Sequence, residues 1–149
     1  MVSLIWNYKI KYGKARRAKQ HALKLCYGDW DKAYERLPAM LHAMKAKNPG
    51  MHFEYIPKPN TFDAHGRKIF FRTFWIFGQC IEAFKHYRDV MSIDETFLTG
   101  KYEGTLLIAI GIDADRRLVP LAFGLVEKEK NANWSCFLRL VRKIVIGPG

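Results

Sequence analysis

One aspartate lies in the middle of an apolar segment that the sequence predicts to be a β-strand. Residues 90–98 read Val-Met-Ser-Ile-Asp-Glu-Thr-Phe-Leu, and Asp94 is the first acidic residue in this segment. A carboxylate buried in a strand without a partner is so unfavourable that it normally becomes protonated, pairs with a cation or faces a cleft. In a cleft it can bind a metal ion or transfer protons. Asp94 is therefore the first candidate for chemistry.

Strand alternation separates Asp94 from its acidic neighbour. Ser92, Asp94 and Thr96 are expected on one face of the strand, and Glu95 is expected on the other. Glu95 should therefore not share a metal ion with Asp94. A turn centred near residues 101 and 102 would pair Asp94 with Ala109 on the next strand.

This pairing places the nearest other carboxylates too far from Asp94. Asp113 would lie about four residues, or roughly 13 Å, along the sheet, and Glu127 about six residues, or roughly 20 Å. The two metal ions of a shared site are only about 3.5 to 4 Å apart. Asp113 and Asp115 are instead predicted to stabilise a hairpin turn, because short carboxylates accept hydrogen bonds from nearby backbone amides.

The composition predicts one folded chain with an acidic partner. Its 149 residues are 49 % hydrophobic, which is enough for a core. The net charge of +11 arises mainly in the first 90 residues and favours nucleic acid over a membrane as the partner, while a basic surface that is merely solvated stays open as the alternative. Cys26, Cys80 and Cys136 are too far apart in the sequence for a zinc motif, so no structural zinc is predicted. No apolar run is long enough to span a membrane.

Periodicity predicts the elements that must position these residues. Helices are predicted over residues 14–27, 30–44, 74–86 and 133–146, and Asp29 is predicted to cap the second of them. Strands are predicted over residues 51–56, 68–73, 90–98, 104–112 and 118–126. Pro38 should kink or restart the second helix, and Asn131 or Asn133 should cap the last one. The last two strands are apolar almost throughout, as expected for a sheet covered on both faces.

The first predicted helix is basic and amphipathic, with an alanine-rich apolar stripe. Seven basic residues and no acidic residue lie among residues 1–28. They are the candidates for contacts with nucleic-acid phosphates: Lys9, Lys11, Lys14, Arg16, Arg17, Lys19 and Lys24. No base-reading motif accompanies them, so they predict binding without sequence specificity.

Several motifs occur in a collinear order along the chain. They include Phe-Trp-Ile-Phe-Gly-Gln-Cys-Ile-Glu-Ala-Phe-Lys (74–85), Ser-Ile-Asp-Glu-Thr-Phe-Leu-Thr-Gly-Lys-Tyr (92–102), Ala-Ile-Gly-Ile-Asp-Ala (109–114), Leu-Val-Pro-Leu-Ala-Phe-Gly-Leu-Val-Glu (118–127) and Asn-Trp-Ser-Cys-Phe-Leu (133–138). Together they closely resemble plant Mutator-like element transposases. Residues 12–19, 27–30, 34–38 and 48–50 resemble the helical region that precedes the catalytic domain of that family. Glu95 departs from the family pattern, in which glycine usually follows the aspartate, and Arg16 replaces a usual tryptophan.

The resemblance implies an α+β fold in two regions. Residues 1–73 would form a basic helical region with a hairpin. Residues 74–149 would form an incomplete ribonuclease-H-like catalytic domain with three antiparallel strands and one helix. In the complete fold a fourth strand pairs beside the Asp94 strand. Its edge would therefore be open here, and an open apolar edge favours self-association.

The resemblance also implies a cut-and-paste DNA transposase. Such enzymes use three carboxylates to hold two divalent ions, Mg²⁺ or Mn²⁺, which activate water and stabilise the leaving oxygen. By motif, Asp94 is the first of the three and has a catalytic and metal-binding role. The second aspartate and the glutamate are expected beyond Gly149. The chain is therefore expected to be a fragment that is not competent alone, with DNA as its partner and the nucleus as its location.

Two other functions stay open. The chain is alternatively a non-catalytic DNA-binding or regulatory protein derived from a domesticated transposase, with the seven basic residues on phosphates. DNA binding would then fall steeply with salt and would not depend on Asp94. The third interpretation is a remnant without biochemical function, because the catalytic constellation is incomplete.

Overall fold

The computed structural model of the protein describes residues 10–86, 90–99, 103–128 and 130–147. The elements follow in the order α1 (Tyr12–Tyr27), α2 (Trp30–Lys47), β1 (His52–Phe62), β2 (Lys68–Ile76), α3 (Gly78–Phe84), β3 (Met91–Leu98), β4 (Gly104–Ile112), β5 (Leu118–Val126), α4 (Asn131–Val141) and a π-helical turn (Arg142–Ile146). The chain divides into two compact units, Met1–Arg36 and Leu37–Gly149. The predicted α+β class is confirmed.

The five described strands form one antiparallel sheet in the order β1-β2-β5-β4-β3. The prediction of a three-stranded sheet is wrong, because β2 runs on to Ile76 and pairs with β5. Trp75 lies opposite Phe123 in this pairing, so the hairpin β1–β2 extends the sheet to five strands. β2 crosses residues 73 and 74, where the two functional regions were predicted to meet. The assignment of different functions to the two regions stays a prediction.

Helix α3 begins later than the sequence predicted. Phe74 and Ile76 alternate along β2 and are each 1 % exposed, so the start of the predicted helix is strand instead. The helix starts at Gly78, where a Cβ would lie 2.9 Å from the Cα of Gly50 and would overlap the carbonyl oxygen of Pro49. Only glycine permits this close approach of two backbone segments. Gly78 therefore fixes the place where the chain leaves the sheet.

One face of the sheet carries the core, and we call it the covered face. Its buried strand residues are Phe74, Ile76, Leu107, Ala109, Ala122 and Val126. Helix α4 places Phe137, Leu140 and Val141 on them, and the π-helical turn adds Val145. The rings of Phe137 and Phe74 stack with centroids 6.0 Å apart. Burying one large apolar side chain contributes about 1.5 to 3 kcal/mol, so this face is a main source of stability.

The opposite face, which we call the Asp94 face, is only partly covered. One row of paired residues crosses it from β1 to β3: Phe53, Trp75, Phe123, Ile108 and Asp94. The part of α2 after Arg36 packs at the β1 end of this row, where His42 meets Phe53 edge-on with ring centroids 5.0 Å apart. The apolar members of the row are half-buried. The two faces of β4 and β5 are therefore covered unequally, contrary to the prediction.

Two hairpins end in turns of similar geometry. The carboxylate Oδ1 of Asp63 accepts a hydrogen bond from the backbone N–H of Arg67 at 2.9 Å. Likewise Oδ1 of Asp113 accepts one from the backbone N–H of Arg117 at 2.7 Å. Asp115 forms an ion pair with Arg117 at 3.3 Å in the same turn. These contacts confirm Asp113 and Asp115 as turn residues.

The first two helices have the predicted positions. α1 ends at Tyr27 and is followed by Gly28, which has a φ of +84°, and no residue of α1 is buried. The alanine-rich stripe predicted for this helix is therefore exposed. Asp29 accepts a hydrogen bond from the backbone N–H of Asp31 at 3.2 Å, which confirms it as the cap of α2. The helix does not restart at Pro38, which lies within it.

The prediction of an asparagine cap on α4 is wrong. The capping position is Lys130, and its side chain makes no capping hydrogen bond. Asn133 is buried and joins two other groups instead. Its Oδ1 accepts a hydrogen bond from Nη1 of Arg72 at 3.0 Å, and its Nδ2 donates to the carbonyl of Lys128 at 2.7 Å. The asparagine amide therefore links β2 to the start of α4.

Candidate functional site

Asp94 lies on β3, which is an edge strand of the sheet. Ser92, Asp94 and Thr96 are exposed on one face, and Glu95 lies on the other, as predicted. The Oδ1 of Asp94 accepts a hydrogen bond from the backbone N–H of Glu95 at 2.9 Å. Within the described part of the chain no cation pairs with Asp94. The carboxylate is solvated, so the burial cost expected from the sequence does not arise.

The register of the strands differs from the predicted one by a single residue. Asp94 lies opposite Ile108, and Ala109 lies opposite Ile93. A shift of one residue moves a side chain to the other face of a sheet. Ala109 is fully buried on the covered face, so the predicted register would have placed Asp94 beneath the helices. The observed register places it on the accessible face.

The two carboxylates that the sequence analysis compared with Asp94 lie far from it in the sheet. Asp113 is five residues along β4 from the residue opposite Asp94, or about 17 Å. Glu127 is four residues along from the same cross-strand row, or about 14 Å, and it pairs with Lys58 at 2.6 Å. Among the described residues no three His, Cys, Asp or Glu side chains are grouped to hold a metal ion. Among the described residues no group of carboxylates therefore surrounds Asp94 to share a metal ion with it.

The donors near Asp94 suit a hard divalent cation but form only part of a ligand set. Its carboxylate and the hydroxyls of Ser92 and Thr96 present oxygen atoms on one face of β3. Oxygen is the ligand atom that Mg²⁺ and Mn²⁺ prefer. The two hydroxyl-bearing residues lie about 7 Å from Asp94 along the strand, counted between Cα atoms, and they add no negative charge to the site. One carboxylate should therefore bind such an ion weakly.

The basic residues predicted to contact nucleic acid lie on or beside α1. Lys9 lies outside the described residues. The others are exposed: Lys11, Lys14, Arg16, Arg17, Lys19 and Lys24. The Nζ of Lys24 lies 2.7 Å from Oδ2 of Asp29, and this hydrogen bond raises the pKa of Lys24. α1 itself contains no acidic residue.

The structure adds basic residues that the sequence reasoning missed. An open cleft of about 500 Å³ lies between α1 and the first part of α2. His21 and Lys24 line it from α1, and Lys32 and Arg36 line it from α2. Lys32 and Arg36 are four residues apart, a spacing that places both on one side of a helix. That spacing was the available signal.

Residues 90–147 match a family model, the MULE transposase domain. The match covers β3, β4, β5, α4 and the π-helical turn, and it includes Asp94. This part of the chain is therefore similar to Mutator-like transposases, as the sequence motifs indicated. No curated protein and no solved structure matches the chain significantly. A transposase domain implies an interaction with DNA. None of the helices described is long and apolar enough to cross a membrane.

Proposed function

We propose that this chain is a fragment of a Mutator-like DNA transposase and that Asp94 is its first catalytic carboxylate. The observation that carries the proposal is the position of Asp94: it lies within the matched segment and is exposed on an edge strand. The matched segment contains three antiparallel strands followed by a helix. This order supports a ribonuclease-H-like arrangement.

The chemistry assigned to this chain is limited to one metal ligand. Bound Mg²⁺ or Mn²⁺ would activate water for attack on the DNA backbone. Asp94 would hold such an ion through its carboxylate, while Glu95 on the opposite face would not. Because the described residues offer no second carboxylate within reach, we propose that the chain does not cleave DNA by itself. Its location would be the nucleus, where the DNA substrate is.

Paramagnetic broadening by Mn²⁺ tests the metal assignment. In the whole chain, Mn²⁺ should broaden backbone amide signals around Asp94, and Asp94→Asn should abolish this broadening. Glu95→Gln is the matched control, because it removes the same charge from the adjacent residue on the other face. The control should keep the broadening. Broadening that persists in Asp94→Asn, or that is lost equally in Glu95→Gln, would refute the assignment.

The second candidate function is DNA binding without catalysis. It is favoured by the composition of α1: the basic residues of this helix are exposed, it contains no acidic residue, and none of its residues is buried. In this case DNA affinity should fall steeply with salt, since each phosphate contact releases counterions. Asp94→Asn should leave that affinity unchanged. A fall in affinity for Asp94→Asn in metal-free buffer would contradict this alternative.

We also propose that the chain associates with itself through β3. The strand has only β4 as a neighbour in the described sheet, so its outer edge offers unpaired backbone groups. Phe97 is 66 % exposed at this edge and adds an apolar contact. Light scattering should show a mass that rises with concentration. Substituting Phe97→Lys, which charges the edge, should shift the distribution toward monomer. A monomer at all concentrations would refute the proposal.

A further inference from the structure

We infer that the unit Met1–Arg36 contains a DNA-backbone site in which residues of both helices hold the phosphates of one strand. The site consists of a basic stripe on α1 and the cleft into which the stripe leads. This inference rests on the proposed DNA partner but is independent of Asp94. It also differs from the sequence-based set, because it selects some basic residues of α1 and rejects others.

Helical spacing defines the basic stripe. Lys14, Arg17, His21 and Lys24 are separated by three, four and three residues, so they lie on one side of α1. The last two of them line the cleft. At 100° per residue, Arg16 and Lys19 lie about 120° and 180° around the helix from the middle of this stripe. These two residues of the predicted set therefore point away from the cleft.

The first part of α2 completes the site. Lys32 and Arg36 line the cleft from one side of α2 and are both exposed. The acidic residue in the lining is Asp29, which pairs with Lys24 at 2.7 Å. Lys24, Lys32 and Arg36 contribute three positive charges to the lining, against Asp29 in the lining and Asp31, which is near enough to Lys24 to raise its pKa as well. The surplus in the cleft is positive and open to solvent.

The charges on α1 are not explained by the stability of the helix. Lys14 and Arg17 are like charges three residues apart, an arrangement that destabilises a helix. α1 contains no acidic residue to offset this repulsion, and none of its side chains is buried. A polyanion bound along the stripe would remove the repulsion. The charge pattern therefore fits a phosphate-bearing partner better than a solvated surface.

The dimensions of the stripe fit a nucleic-acid backbone. Lys14 and Lys24 are ten residues apart, or about 15 Å along the helix axis. Successive phosphates of one DNA strand advance about 3.4 Å along the duplex axis, so the stripe spans about four steps. Tyr27 is 83 % exposed in the cleft lining and offers a ring to the sugar or base beside the phosphates.

The test compares two triple variants of the whole chain that each lose three exposed positive charges. The first is Arg17→Ala, Lys32→Ala and Arg36→Ala, which removes charge from the stripe and the cleft. The second is Lys11→Ala, Arg16→Ala and Lys19→Ala, which removes charge elsewhere on the same unit. Alanine favours helix at these exposed positions, so both variants should keep their helices, as circular dichroism would verify.

Fluorescence anisotropy with a labelled DNA duplex across a salt series gives the readout. The first variant should bind at least about tenfold more weakly, and the slope of log affinity against log salt should fall by about 2.7, or 0.9 for each lost contact. The second variant should lose less than about threefold, with a smaller change in slope. Equal losses in both variants would overturn the inference, because they would show a response to net charge alone.

Two further measurements distinguish a DNA-backbone site from a general anion surface and from the metal site at Asp94. Polyglutamate at the same charge concentration should displace DNA poorly; equal displacement would mean a general anion surface and would overturn the inference. The selective loss in the first triple variant should be the same in metal-free buffer and in buffer with Mn²⁺, and a loss that appears only with Mn²⁺ would overturn the inference. A failed Mn²⁺ test at Asp94 together with a selective loss in the first triple variant would refute the metal site and support the DNA-backbone site.

Discussion

The two faces of the sheet share the same strands but differ in cover. On the covered face, Phe74, Leu107 and Val126 lie beneath α4 with at most 1 % of their surface exposed. On the Asp94 face, Ile108 and Phe123 remain half-buried. The covered face therefore stabilises the sheet, and the other face leaves a carboxylate accessible. Stability and the candidate chemistry are thus assigned to opposite sides of one layer.

Replacing one phenylalanine on each face with alanine should give the largest difference in the free energy of unfolding. Phe137→Ala should lower the free energy of unfolding by about 3 to 5 kcal/mol, because Phe137 is buried against the covered face and leaves a cavity. Phe123→Ala should cost at most about 2 kcal/mol, since its ring is already partly in water. Urea unfolding followed by tryptophan fluorescence measures both. Similar losses would mean that the Asp94 face is as much a core as the covered face.

Adding one methyl group to the covered face should have a smaller effect. A Cβ at Gly124 would lie 2.7 Å from Cδ1 of Phe74 and 3.1 Å from Cδ2 of Phe137, and both rings are buried. Gly124→Ala should therefore cost about 1 to 3 kcal/mol through overpacking. Gly13→Ala is a suitable control, because among the described residues no atom outside its own stretch of helix lies within 4 Å of the added methyl group. If Gly124→Ala were as stable as the unaltered chain, the rings of Phe74 and Phe137 would be able to move aside.

Asp94→Asn should have the smallest effect on stability. The side chain is exposed and Asn keeps an oxygen that can accept the hydrogen bond from Glu95, so the change should stay within about 0.5 kcal/mol. Glu95→Gln provides the comparison from the opposite face. Urea unfolding at neutral pH measures both. A loss above about 1 kcal/mol for Asp94→Asn would assign the carboxylate a structural role and weaken the case for an available metal ligand.

Much of the local structure was predictable from the sequence. The turn residue Asp113 and the cap residue Asp29 make hydrogen bonds to residues two to four positions away. The three strands of the matched segment follow from the residue types within each of them. The alternation of Asp94 and Glu95 follows from the period of a strand. The errors occurred where a distant contact decides the outcome. Phe74 and Ile76 read as helix in isolation, but pairing with β5 makes them strand.

The candidate sites show the same division. Asp94 was found from its own segment and the surrounding motif. The cleft residues Lys32 and Arg36 were missed, because a cleft exists only once two helices lie side by side. The basic residues of α1 were identified as a group. Their division into two sets comes from the helical period, which places Arg17 on the side of the cleft and Arg16 away from it.

The sequence by itself determined most of the element types, the excess of positive charge and the identity of Asp94 as the residue to explain. These depend on local periodicity and composition. The tertiary structure decided the register that pairs Asp94 with Ile108, the pairing of β2 with β5 that makes the sheet five-stranded, and the face that the helices cover. Each of these depends on packing between residues far apart in the chain. A shift of one residue in such packing exchanges the buried and accessible faces, and local preference alone cannot specify it.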